Sequence, residues 1–169
     1  MSDNPVTEYV HGVALIGDSL YIEGGQGDVF YEDGMADKVV LIGAGIGVAP
    51  LMGMLRYIDD STNASATMIQ SASTAEEMVY FSETSEIADS NHKVCYHATV
   101  TQGKPGEDFG QGRISSEKLL EMDIDTGSLF FLSGPGGMIP EIEDALMSMG
   151  VPDDQIRYEV WWKPSHDTV

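Results

Sequence analysis

Lys38-Val39-Val40-Leu41-Ile42-Gly43-Ala44-Gly45-Ile46-Gly47-Val48-Ala49-Pro50 is the stretch that decides the fold. Val39 to Ile42 is a continuous apolar run of strand length, as expected of a central parallel strand covered on both faces. A glycine turn follows, and Pro50 suits the first turn of a helix that places Leu51, Met54, Leu55 and Ile58 on one face. Such a turn lets backbone approach a diphosphate, because glycines add no bulk and the free N–H groups of a helix start favour an anion. Taken alone, the same turn would serve equally for close packing of strand on helix.

The elements on either side extend this pattern. Thr67-Met68-Ile69 makes a second strand, and Ser73 or Thr74 can cap a helix running to about Ile87, with Glu76 or Glu77 as reciprocal partner. Val94 to Val100 is a third strand. The Gly-, Pro- and Asp-rich stretch from Gln102 to Gly112 reads as a loop leading to a short helix around Ser116 to Met122. Leu129 to Leu132 is a fourth strand. Ile139, Ile142, Leu146 and Met149 then mark a helix face, with Pro140 in its first turn and Gly150 as its stop. Ile156 to Trp162 closes the series. The pattern predicts an α/β fold with a doubly wound, five-stranded parallel sheet in the order 3-2-1-4-5 and a ligand beyond the carboxyl ends of the strands. Upstream, Gly12 to Ile16, Ser19 to Glu23 and Asp28 to Tyr31 read as short strands separated by Gly-rich turns. This divides the chain into a β segment over 1–36 and the α/β domain over 37–169.

Composition narrows the partners. Eight Lys and Arg against 28 Asp and Glu give a formal net charge of −20, which disfavours nucleic acid and anionic membrane surfaces. Such an acidic balance fits a protein of salt-accumulating cells, where carboxylates keep the surface hydrated and their repulsion is screened. The single Cys95 excludes an internal disulfide and any four-cysteine metal site within the chain, so a reducing cytoplasm is the expected location. His92, Cys95 and His97 lie close together, but two of them fall on a predicted strand and no fourth ligand is near, so a structural role is expected. The uncharged stretch from Val39 to Leu55 is too short and too rich in glycine to span a membrane. The first residues carry no basic region followed by an apolar run, so no secretion signal is expected.

Four segments resemble the signatures of the ferredoxin-NADP reductase superfamily. Gly45-Ile46-Gly47-Val48-Ala49-Pro50 resembles its glycine motif more closely than the fingerprint of ordinary dehydrogenases. Leu132-Ser133-Gly134-Pro135-Gly136-Gly137-Met138 is similar to its Cys-Gly-Pro segment followed by Met, and Gly110-Gln111-Gly112-Arg113-Ile114 to its Gly-Arg-Ile segment. Ile156-Arg157-Tyr158-Glu159-Val160-Trp161 resembles its terminal Glu-x-aromatic strand. Gly17-Asp18 and Gly24 to Tyr31 further resemble the last strands of the family's flavin-binding barrel.

The resemblance implies that Gly45, Ile46, Gly47 and Val48, with Pro50 behind them, meet the diphosphate of NAD or NADP, and that Gly134, Pro135 and Met138 border the nicotinamide. Ser133 stands where the family usually has Cys near the hydride-transferring carbon, which keeps a small polar group but loses the sulfur. Glu159 would lie near the nicotinamide and Trp161 or Trp162 over the flavin ring; their plainer reading is a solvated carboxylate and an aromatic edge to the core. Arg113 would either grip a phosphate or pair with a carboxylate. Ser71 and Ser73 occupy the adenosine-ribose region without a cation, which favours NAD(H), although their hydroxyls and that of Thr74 remain compatible with NADP(H).

The implied activity is that of an NAD(P)H-dependent flavoprotein oxidoreductase module, passing a hydride to FAD and electrons onward to an acceptor protein. The family's Arg-x-Tyr-Ser or Arg-x-Tyr-Thr flavin segment is not found, so the main FAD site is expected elsewhere: in an excised domain, in a second chain, or lost. The competing expectation is a non-catalytic nucleotide-sensing or partner-binding domain that keeps the fold; Ser133 favours it, while Glu159 and Trp161 argue against it.

Overall fold

Val39, Val40, Leu41 and Ile42 are each at most 2% exposed, so both faces of this strand are covered. In the computed structural model, which describes residues 5–24, 27, 29–103 and 106–158, they form the centre of β1 (Lys38–Ala44). The chain is α1 (Pro5–Gly12), β1, α2 (Val48–Ser61), β2 (Ser65–Ala72), α3 (Phe81–Ser90), β3 (Val94–Val100), β4 (Gly110–Gln111), α4 (Ser116–Glu121), β5 (Leu129–Ser133), α5 (Met138–Ser148) and β6 (Ile156–Tyr158). The strands make one parallel sheet in the order β4-β3-β2-β1-β5-β6.

The five expected strands are present in the expected sequence of neighbours, and one strand is added. β4 extends the sheet beyond β3 because the loop comes back onto that edge: Gly112 N–H donates to Val100 O at 2.7 Å. A two-residue strand among glycines carries no alternation that a sequence pattern could reveal.

Side-chain parity sorts the core into two layers. Val39, Leu41, Met68 and Phe131 pack under α2 through Leu51, Met52, Leu55 and Ile58. Val40, Ile42, Ile69, Phe130 and Leu132 face Leu119 of α4 and Ile139, Ile142 and Leu146 of α5. Helices therefore cover both faces, and the winding reverses between β1 and β5.

Two expectations are corrected. The helix expected from Ser73 or Thr74 begins only at Phe81. Ala75–Glu77 forms a single 3-10 turn, Tyr80 adopts a left-handed φ of 60°, and the buried Gln70 amide donates to Val79 O at 2.7 Å, which draws this segment onto the sheet. Glu76 receives its own backbone N–H and the Thr74 hydroxyl, both holding its carboxyl below the usual range, while the Thr74 side chain caps no backbone N–H of the turn.

The three expected strands upstream of β1 are also absent among the described residues. Pro5–Gly12 is helical and buries nothing, and the bonds after it are local, such as Asp18 N–H to Leu15 O. Strand-like sequence without a neighbouring strand leaves its backbone groups unpaired, so turns take its place. Leu15, Ile16, Tyr21 and Ile22 remain 75–110% exposed. The chain joins the body at Tyr31, whose ring meets Phe131 edge-on at 6.4 Å and whose hydroxyl donates to Ala36 O at 2.8 Å.

Candidate functional site

The winding reversal places the carboxyl ends of β1 and β5 side by side, with Gly43 opposite Ser133. Each then runs into a glycine turn and a helix, so the site is framed by two similar loops. Their contact demands the absence of side chains. A Cβ on Gly47 would lie 2.6 Å from the carbonyl carbon and oxygen of Ser133, and one on Gly43 would lie 2.8 Å from Leu51 Cδ1. Gly45 differs, having a φ of 54°, open space around it and solvent exposure.

Two hollows meet over this seam and share Ala44, Gly45 and Pro135. The first, about 390 Å³, is polar on its far side, with Ser71, Ser73, Glu77, Thr101, Arg113 and Glu141. The second, about 420 Å³, is almost wholly apolar, being lined by Ile46, Gly47, Ala49, Pro50, Gly134 and Gly136. Both volumes fall in the range of small-molecule sites, and a ligand spanning them would have one polar and one flat apolar end.

The structure brings most of the sequence-derived residues together here: Gly45, Ile46, Gly47, Pro50, Ser71, Ser73, Arg113, Gly134, Pro135 and Met138 all line one hollow or both. Ile46 is 88% exposed at the mouth of the apolar hollow. Val48 is placed otherwise: it is wholly buried, and its N–H turns back to Gly45 O and Ile46 O, which makes it a packing residue. Arg113 makes no ion pair among the described residues and is the single cation lining the polar hollow.

Ser133 is 3% exposed, and its hydroxyl has no hydrogen-bond partner among the described residues. Such a group costs about 1–3 kcal/mol while it stays unpaired, and Ser133 itself lines neither hollow. Glu159, Trp161 and Trp162 lie outside the described residues. Glu77 was read from sequence as a helix-capping partner, yet it faces the polar hollow together with Glu141. Glu141 sits in the first turn of α5 and had no motif to announce it. Cys95 and His97 lie on β3, lining a different groove near the amino ends of the strands.

A doubly wound sheet with a glycine turn at its reversal and two joined hollows over that turn is the arrangement of a dinucleotide-binding domain. The chain belongs to the oxidoreductase NAD-binding domain family, which matches residues 41–144, and lies within the ferredoxin-NADP reductase superfamily. A flavohemoprotein of Vibrio cholerae is 29% identical over 165 residues, covering 95% of this chain and 40% of the relative. The reductase component of propane 2-monooxygenase from Mycolicibacterium smegmatis is 28% identical, with 92% and 47% covered. The chain thus spans less than half the length of these relatives.

Among solved structures, the flavohem-like FAD/NAD-binding domain of nitric oxide dioxygenase from Vibrio cholerae superposes with a TM-score of 0.80 at 26% identity, covering 92% of this chain and 64% of that one. A ferredoxin NADP+ reductase from Neisseria gonorrhoeae, solved with bound FAD and NADP, shares the fold with a TM-score of 0.64 at 19% identity, over 94% of this chain and 70% of that one.

Proposed function

We propose that this chain binds NADH across the seam between β1 and β5 and presents its nicotinamide to FAD held by a flavin-binding half. The observation that carries this reading is the pair of joined hollows meeting at Ala44, Gly45 and Pro135, one carrying serine, threonine, arginine and glutamate side chains among apolar ones and the other almost wholly apolar. The diphosphate lies against Gly45 and Ile46, with Gly47, Val48 and Pro50 shaping the turn beneath it and Arg113 within reach of its charge. Ser71 and Ser73 hold the adenosine ribose. Pro135, Gly134 and Met138 flank the nicotinamide, with the Ser133 hydroxyl beneath it and Glu159 and Trp161 completing the hydride side. When bound, the nicotinamide supplies a hydride to the flavin, which releases electrons singly to an acceptor protein.

NADH is favoured over NADPH because Glu77 and Glu141 line the same hollow as Ser73. A carboxylate can accept hydrogen bonds from ribose hydroxyls, whereas it repels a 2′-phosphate. Residues 1–36 are read as the last part of the flavin-binding half, and 37–169 as the NAD domain. The bare apolar side chains of Leu15, Ile16, Tyr21 and Ile22 support that division. A second reading, a non-catalytic domain that senses nucleotide or binds a partner through its bound-nucleotide form, draws on Ser133 alone. Titration calorimetry with NADH and NADPH tests the binding, with NADH expected to bind more tightly; failure to bind either would overturn both readings. Bleaching of flavin absorbance by NADH, measured with a flavin-binding half present, separates the two.

The cytoplasm is the proposed location, in keeping with the lone unpaired Cys95, and no described helix is long and apolar enough to cross a membrane. A salt-rich cytoplasm is proposed from the charge of −20. Molar KCl is then expected to raise the melting temperature, because surplus carboxylates repel one another less when screened. A melting temperature indifferent to KCl would remove the support for that origin.

A further inference from the structure

We propose that Gln70 is the positioning residue of the adenosine end of the site, aiming Glu77 by holding the segment that carries it. This inference rests on the reading of the polar hollow as the adenosine subsite. Gln70 is 1% exposed on β2, and both ends of its amide are engaged: Oε1 accepts from the Tyr96 hydroxyl at 2.7 Å and Nε2 donates to Val79 O at 2.7 Å. Val79 is two residues beyond Glu77, in the stretch where a helix was expected and the chain instead crosses to α3.

The segment from Ser73 to Tyr80 is fastened by contacts of two kinds. Met78, 6% exposed, is buried with Ala72, Ala98 and Val100 in a small cluster bordered by Phe81 and Phe109. The rings of Phe81 and Phe109 stand 4.8 Å apart, joining this segment to the loop that leads to Arg113. Gln102 N–H donates to Ser73 O at 2.8 Å across the same gap. Apolar burial is non-directional, so Met78 sets how deeply the segment sits without fixing its rotation. The hydrogen bond to Val79 O is directional and fixes that rotation, and with it the direction of Glu77.

Neighbouring contacts make the far end a firm stop. Thr84 Oγ1 donates to Tyr80 O at 2.9 Å, and Arg56 grips Glu83 through Nε at 2.6 Å and Nη2 at 2.8 Å. Burial pushes the Tyr96 hydroxyl above its usual range, which keeps it a donor to Gln70 at any working pH. With Tyr80 fixed beyond it and the sheet behind it, the turn at Ala75–Glu77 takes its orientation from Gln70.

Two variants test this, with NADH and NADPH dissociation constants and melting temperature measured on the full chain. Gln70→Met keeps the volume and removes both hydrogen bonds; Tyr96→Phe removes one and leaves the bond to Val79. Gln70→Met is expected to weaken NADH and to leave NADPH unchanged or tighter, so that the preference for NADH falls about tenfold. Tyr96→Phe is expected to move the ratio the same way by about threefold. A folded Gln70→Met protein that keeps the ratio, or loses affinity for both dinucleotides equally, would overturn the inference, since a merely stabilising residue lowers melting temperature without touching discrimination. If Gln70→Met does not fold, Tyr96→Phe decides by the same ratio. If the unaltered chain binds NADH no better than NADPH, the preference assigned to Glu77 fails and this inference fails with it. If it discriminates and Gln70→Met discriminates equally, this inference alone fails.

Discussion

Gly47→Ala is expected to cost about 3 kcal/mol and to lower the melting temperature by roughly 10 °C, the larger of the two stability effects available in the glycine turn. The added methyl would stand 2.6 Å from the Ser133 carbonyl and 2.7 Å from Gly134 N, and these are backbone atoms of a central strand end. A flexible side chain could swing aside, but β5 cannot move without disturbing its pairing with β1 and β6. Gly45→Ala is the matched comparison. Its φ of 54° makes alanine strained, yet the space around it is open, so a cost of only about 1 kcal/mol is expected. Thermal melts of the two proteins decide; equal shifts would mean that the seam is looser than its geometry states. The turn therefore has a division of labour that its sequence does not display. Gly43 and Gly47 serve packing, while Gly45 leaves its backbone open to solvent.

Replacing Ser73 by Arg and Glu77 by Gln together is expected to reverse the dinucleotide preference, moving the ratio of NADH to NADPH affinity by about a hundredfold. A guanidinium at Ser73 can clamp the 2′-phosphate through charge-assisted hydrogen bonds, each contributing roughly 1.5–3 kcal/mol. Ser73→Arg alone should move the ratio less, because Glu77 lines the same hollow and would pair with the new cation. The two changes are thus expected to be non-additive, as neighbouring charges generally are. Dissociation constants for both dinucleotides across the two single variants and the double variant measure this. An unmoved ratio in the double variant would place the ribose elsewhere.

How far the sequence could be read follows from where each residue's role is decided. Val39 to Ile42 announced a buried central strand because burial on both faces leaves an uninterrupted apolar run, and the order of strands followed from short right-handed crossovers. The glycine turn was legible because a tight turn and close backbone approach restrict residue choice locally, whereas Ser133 to Met138 and Arg113 were singled out only through resemblance to a family; all line the hollows or the strand end beside them. Glu77 was not legible, since its role depends on a turn that replaces the first part of a helix. That replacement is accompanied by tertiary contacts from β2 and β3, the Gln70 bond to Val79 O and the burial of Met78 against Ala98 and Val100 among them. Local caps at Ser73 and Thr74 predicted the commoner outcome, and tertiary contacts overrode them. The segment before β1 was misread for the opposite reason. Its strand-like pattern is intact, but a strand exists only with a neighbour to pair with, and Leu15 to Ile22 have none within the described residues.

The seam between the two glycine turns has a consequence for how such a domain diversifies. Because Gly47 rests directly on the Ser133–Gly134 backbone, the seam beneath the glycine turn is tied to the sheet, and a side chain added at Gly47 acts at the level of folding. The other wall, from Ser73 to Tyr80, is joined to the sheet by one small cluster and a few hydrogen bonds, and side chains on it can change without disturbing the centre. Under the proposed reading, the shared diphosphate would meet the wall built on the sheet, and the 2′ position that separates the two dinucleotides would meet the wall from Ser73 to Tyr80.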